Sequence, residues 1–174
     1  AAIEGNLERV KHFFDKGIRY ITLTHSKSNH ISDSSYDENQ QWGGLSAFGK
    51  KLISEMNNTG MIIDISHVSD EAFMQVLEIS KVPVIASHSS LRHFTPNWER
   101  NVSDEMLIAL ANNGGVLQIN FGSKFINFAE QNDDDYNFAT LSQTVDHFDR
   151  AISLVGVDLV GIGWVFDGVG EAWA

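Results

Sequence analysis

Short apolar runs alternate with helical patterns along the whole chain, and that alternation leaves few folds open. The runs cover residues 18–24, 61–66, 82–87, 116–120 and 159–163. They are rich in β-branched residues and short enough to be buried parallel strands. Between them, apolar residues recur at helical spacing. Leu7, Val10, Phe13 and Phe14 predict a helix over 7–16 that Gly17 stops. A second helix is expected over 45–58, ended by Thr59-Gly60. Ser69 is a good N-cap for a third over 70–80, with Ala72, Phe73, Val76 and Leu77 on one face. Ser103 caps a fourth, with Asp104 and Glu105 in its first turn and Gly114-Gly115 as its stop. A fifth is expected over 141–154. The pattern predicts an α/β fold in which helices cover a parallel sheet. A closed (β/α)8 barrel needs eight strands and typically about 250 residues. Five runs in 174 residues therefore predict either an open sheet or a partial barrel of about five βα units, read as a single domain over 1–174.

The length allows one domain with a real core. A formal net charge of −11, from 23 acidic and 12 basic residues, argues against nucleic acid, whose binding depends on basic patches. Part of the excess is Asp133-Asp134-Asp135, which reads as a solvated loop. Without cysteine there are no disulfides or thiolate sites, so any metal must be held by nitrogen and oxygen. No apolar stretch approaches the roughly 20 residues that span a bilayer, and the first residues lack the basic and apolar segments of a signal peptide.

The first three strands each lead to a histidine: His25, His67 and His88. Strand C-termini gather on one face of such a sheet, and chemistry gathers with them. Imidazole is the commonest neutral metal ligand, so His67 and His88, at the ends of successive strands, are candidate metal ligands. The competing reading makes them structural histidines that cap the following helices. His25 opens a polar loop over 26–44, long enough to suggest function. It could bind metal, donate to a substrate oxygen or anchor the loop. Arg100 could grip a carboxylate with its planar fork. Asp64 lies inside a strand, where a buried carboxylate needs partners, and a supporting contact to a ligand histidine is expected. Asp167, before Gly168, is a metal ligand, a proton carrier or a turn residue. His12, His30, His93 and His147 receive no role. No P-loop, dinucleotide-binding, His-Glu-x-x-His or Gly-x-Ser-x-Gly motif is present.

With these residues identified, the chain resembles the membrane dipeptidase family. The matching segments are residues 17–25, 44–49, 63–69, 83–89, 100–104 and 166–169, in the family's order. The resemblance implies a zinc-dependent peptidase on a (β/α)8 barrel that hydrolyses dipeptides, with two zinc ions sharing a bridging glutamate. It implies that His67 and His88 hold one zinc, that His25 contacts the substrate near its scissile carbonyl, and that Arg100 receives the substrate carboxylate. A metal-activated water would attack the carbonyl, metal and histidine would stabilise the oxyanion, and an aspartate would carry the proton.

Two departures shape the expectation. The family's first strand, with His-x-Asp, and its next, with the bridging glutamate, have no counterpart here, and Glu4 falls past the bridging position. The chain is therefore expected to be the central part of such a barrel, lacking the first two strands and the C-terminal end. At residues 161–168 the family reads Gly-Ile-Gly-Ser-Asp-Phe-Asp-Gly, whereas here Trp164-Val165 replaces Ser-Asp. Valine cannot carry a proton. Asp167 matches the second aspartate and is kept as a catalytic candidate. These 174 residues alone are expected to bind zinc weakly and cleave no dipeptide. The alternatives are a non-catalytic α/β scaffold with part of a metal site, and another metal-dependent hydrolase on the same barrel. A dipeptide is the expected partner, together with a second copy or the missing barrel segments across the open sheet edges. The compartment cannot be read; a signal in a preceding segment would favour the periplasm or cell envelope.

Overall fold

A computed structural model describes residues 2–127 and 138–163. Five parallel strands form one sheet: β1 (Tyr20–Thr22), β2 (Ile62–Asp64), β3 (Ile85–Ser89), β4 (Val116–Asn120) and β5 (Val160–Gly163). Their spatial order is their chain order. A doubly wound sheet reverses direction at a switch point; this one does not, and so has the order of a barrel arc. Helices α1 (Glu8–Asp15), α2 (Ala47–Thr59), α3 (Asp70–Ile79), α4 (Asp104–Asn112) and α6 (Leu141–Val155) pack side by side in the same sequence. A single turn, α5 (Ser123–Ile126), lies in the connection after β4.

The predicted serine caps of α3 and α4 form, and two unpredicted caps join them. Ser46, Ser69 and Ser103 accept the backbone N–H bonds of Gly49, Ala72 and Met106, and Thr140 makes a capping box with Gln143. Gly60 ends α2 with φ 82°, the left-handed turn that glycine adopts freely. Leu52, Ile53 and Met56 of α2 are fully buried with Ile63 of β2 and Leu117 and Ile119 of β4. On the opposite face, Tyr20 and Ile62 pair in register and remain 52% and 40% exposed.

Three strands depart from their expected bounds. β1 and β2 end early: the Leu23 N–H still reaches the Asp64 carbonyl oxygen at 3.4 Å and the Ile65 N–H that of Ile85 at 2.8 Å, after which residues 24–25 and 66–67 build the rim of the sheet. β3 starts late. Pro83 has no N–H to give, and the Val84 N–H is taken by the side-chain oxygen of Asn113 at 3.0 Å. The strand then runs on through His88, with a register shift against β4 between Ala86 and Ser89. His88 is thus a residue of the strand rather than the first one after it. Among the described residues, no helix is long and apolar enough to cross a membrane.

Candidate functional site

Four of the six residues singled out by sequence, His25, His67, His88 and Arg100, meet at the C-terminal rim of β1–β3. The Nε2 atoms of His67 and His88 face each other at 2.8 Å. His25 stacks on His67, with ring centroids 4.2 Å apart and planes at 27°. Arg100 reaches the same rim, donating to the His88 carbonyl oxygen and to Ser89 Oγ, each at 2.7 Å. Asp167, Trp164 and Val165 lie outside the described residues.

Local structure explains each placement. His67 has φ 72°, left-handed backbone that non-glycine residues seldom adopt and that costs on the order of 1–3 kcal/mol. The Ser35 N–H donates to its carbonyl oxygen at 2.9 Å and so holds the turn. His88 is held through its side chain. Its Nδ1 lies 2.7 Å from Ser87 Oγ, which lies 2.6 Å from Asp64 Oδ2. The sequence reading expected Asp64 to touch a histidine directly; the contact runs through Ser87. Arg100 is 2% exposed, its guanidinium stands 4.9 Å from the Phe125 ring centroid, and the nearby Tyr36 side chain favours its charged form. The loop carrying it is pinned by a two-pronged ion pair of Arg92 with Asp70, at 2.6 Å for each contact.

The long loop over 26–44 is ordered by a carboxylate that pattern reading passed over. Asp33 is fully buried and accepts N–H bonds from Gln41, Trp42 and Gly44 at 2.7, 2.9 and 3.0 Å. Burial opposes its charge, but the N–H bonds prevail and hold its carboxyl below the usual range. The loop lies so close to α2 that a Cβ on Gly49 would stand 2.1 Å from the Ile31 carbonyl oxygen. The same loop brings Tyr36 to 5.9 Å from the His67 ring and 6.3 Å from Trp98.

The electrostatics favour neutral imidazoles beside a fixed cation. Burial, then Arg100, His88 and His25, push His67 down to about 2. Burial and Arg100 push His88 down to about 4, against a smaller opposing pull from Asp64. Burial lowers Arg100 to about 10, which leaves it charged at neutral pH.

The family model for membrane dipeptidases (peptidase family M19) matches residues 1–174. The chain belongs to the membrane dipeptidase family. It is 40% identical over 169 residues to an uncharacterised dipeptidase of Schizosaccharomyces pombe, covering 96% of this chain and 39% of that one. It is 34% identical over 174 residues to dipeptidase 3 of Mus musculus, covering 98% and 34%. A metallopeptidase of Rhodobacter sphaeroides, solved with a phosphinate mimic of the dipeptide L-Ala-D-Ala, superposes with a TM-score of 0.82 at 25% identity, covering 94% of this chain and 47% of that one. The chain thus spans between 34% and 47% of the length of these relatives.

Membrane dipeptidases are metallopeptidases, so the fit of a cation can be tested on the residues present. The two Nε2 atoms stand 2.8 Å apart, and an opening of about half an ångström would bring them to the roughly 3.3 Å between two nitrogen ligands of one tetrahedral zinc ion. Both rings are neutral, as ligands must be, and the Nδ1 of His88 is tied to the Ser87–Asp64 pair, the usual support of a ligand histidine. These features fit one side of a cation site. Among the described residues, no group of three or more His, Cys, Asp or Glu stands ready to hold a metal. Of the residues that build this rim, sequence reasoning missed Ser87, Asp33 and Tyr36. Ser87 could have been found as the hydroxyl beside a candidate ligand; the other two carry no local pattern.

Proposed function

We propose that the protein containing this chain is a zinc-dependent dipeptidase in which His67 and His88 hold a catalytic cation, His25 meets the scissile carbonyl and Arg100 receives the substrate carboxylate. The observation that carries the reading is the bond from Arg100 to the His88 carbonyl oxygen, at 2.7 Å. The carboxylate receptor and a cation ligand share a residue, so a substrate that engages both must be short. A dipeptide meets that requirement, and the dipeptide mimic held by the Rhodobacter sphaeroides relative has the same chemistry.

The cation, when bound, supplies Lewis acidity towards a water and towards the peptide carbonyl. The remaining work falls to the chain. His25 engages Ser26 Oγ through Nδ1 at 2.8 Å, which leaves its Nε2 for a carbonyl oxygen. Arg100 is buried yet charged, and a guanidinium of low hydration pairs strongly with a carboxylate. Tyr36, Trp98 and Phe125 form an aromatic wall beside that guanidinium. The scaffold reading keeps one observation in its favour, the lack of a third metal-ligating side chain among the described residues.

The test measures amine release from L-Ala-L-Ala and L-Ala-D-Ala by the whole protein. Chelation should abolish turnover and Zn²⁺ should restore it. His67→Ala should remove activity, and Arg100→Ala should chiefly raise KM. Turnover indifferent to chelation and to His67→Ala would overturn the proposal. Turnover by the 174 residues alone would overturn the expectation that they are inactive, which rests on two histidines without a carboxylate being too few ligands for a tight zinc site.

A further inference from the structure

We propose that Asp64 and Ser87 are positioning residues that keep the proton of His88 on Nδ1 and so present its Nε2 lone pair to a divalent cation. The inference rests on the metal-site reading above and assigns the pair that aims one of its ligands. It follows from counting donors. A carboxylate only accepts. Asp64 Oδ1 takes the N–H groups of Ser66 and Ser87, each at 3.0 Å. Its Oδ2 takes the hydroxyls of Thr22 and Ser87, each at 2.6 Å. Ser87 has a single hydroxyl proton, and that proton is committed to Asp64. Towards His88 Nδ1, 2.7 Å away, Ser87 Oγ can therefore only accept. The imidazole proton sits on Nδ1, and Nε2 is left with its lone pair.

The consequence for His67 is the reverse. Two lone pairs cannot face each other at 2.8 Å, so before a cation enters, His67 carries its proton on Nε2 and donates it to His88. Its own Nδ1 is buried without a hydrogen-bond partner among the described residues. A cation bound between the rings displaces that Nε2 proton, and His67 takes up a proton on Nδ1 instead. One ligand is preset by its neighbours; the other changes tautomer on binding.

Long-range 1H–15N NMR of the metal-free whole protein reads the tautomers directly. The expected result is Nδ1–H on His88 and Nε2–H on His67, with both rings Nδ1–H after Zn²⁺ is added. Ser87→Ala should lose the fixed His88 tautomer and weaken Zn²⁺ binding about 10–100-fold in competition with a chromophoric chelator, and Ser87→Thr should restore both. Thr22→Val removes the other hydroxyl from the same carboxylate oxygen, and should leave the His88 tautomer intact and Zn²⁺ affinity within about threefold of wild type. Nε2–H on His88 in the metal-free wild type overturns the proposal, whether or not the variants fold. So does a Ser87→Ala protein with unchanged tautomer and affinity, or equal loss of both readouts in Ser87→Ala and Thr22→Val. None of these measurements involves peptide hydrolysis, so failure of the dipeptidase reading would be seen separately.

Discussion

Two regions of this molecule bury imidazoles, and they treat them in opposite ways. At the strand ends, His67 and His88 turn their Nε2 atoms on each other, and His67 Nδ1 has no partner among the described residues. Beneath the 89–102 loop, His147 of α6 is fully buried with both nitrogens satisfied. The Leu91 N–H donates to its Nδ1 at 3.0 Å, so its Nε2 carries the proton and donates to the Ile126 carbonyl oxygen at 3.1 Å. Phe94 packs on its ring at 4.5 Å. A buried polar group satisfied on every side serves the fold. One left facing its own kind, on left-handed backbone, is held at a cost that the fold alone does not explain.

The contrast can be broken by mutation. His147→Ala leaves a cavity and strands the Leu91 and Ile126 backbone groups, so it should cost about 3–5 kcal/mol in denaturant unfolding. A loss below about 1 kcal/mol would remove His147 from the structural class. Zn²⁺ at a hundredfold excess over its dissociation constant should raise the unfolding free energy by about 2.7 kcal/mol, and His67→Ala or His88→Ala should erase that gain. Without metal, His67→Ala should stay within about 1 kcal/mol of wild type, because lost ring packing is offset by relief of an orphaned nitrogen, while the left-handed turn strains alanine as it strains histidine. A metal-free loss as large as that of His147→Ala would collapse the distinction.

The smallest effect is that of pH. Burial holds His147 below its ordinary value. The unfolded chain therefore binds the extra proton first as pH falls below about 6.5. The stability that neutral His147 contributes is complete above that pH and declines towards its lower folded value. Urea midpoints measured between pH 7.5 and 5 should fall, with a shallower slope in His147→Gln.

How much of this was legible in the sequence varied with the range of the interaction. The strands, the serine caps of α3 and α4, and the meeting of His25, His67 and His88 follow from period, capping residues and strand polarity, which are local, whereas Arg100 lies in a loop and was given its role by family resemblance. The late start of β3 was signalled by Pro83, but its other cause, Asn113, lies 29 residues from Val84. Asp33 was opaque, because its partners are backbone amides that any sequence could supply. His147 was misleading in a different way. It sits with Ala151 on the buried side of α6, while the apolar Leu141, Val145 and Ile152 remain 80%, 44% and 36% exposed. A polar residue took the inner position because Leu91 and Ile126 offered it a donor and an acceptor.

Asp33 also divides the 26–44 connection into a root and a tip. Three amides closed on one buried oxygen pair fix where the segment leaves and rejoins the body, whereas Glu38, Asn39 and Gln40 between them face solvent. Residues can be exchanged or added at that tip while the anchor keeps His25 and Tyr36 in place. That makes it the natural position for reshaping what the rim admits, by design or by descent, without disturbing the groups beneath.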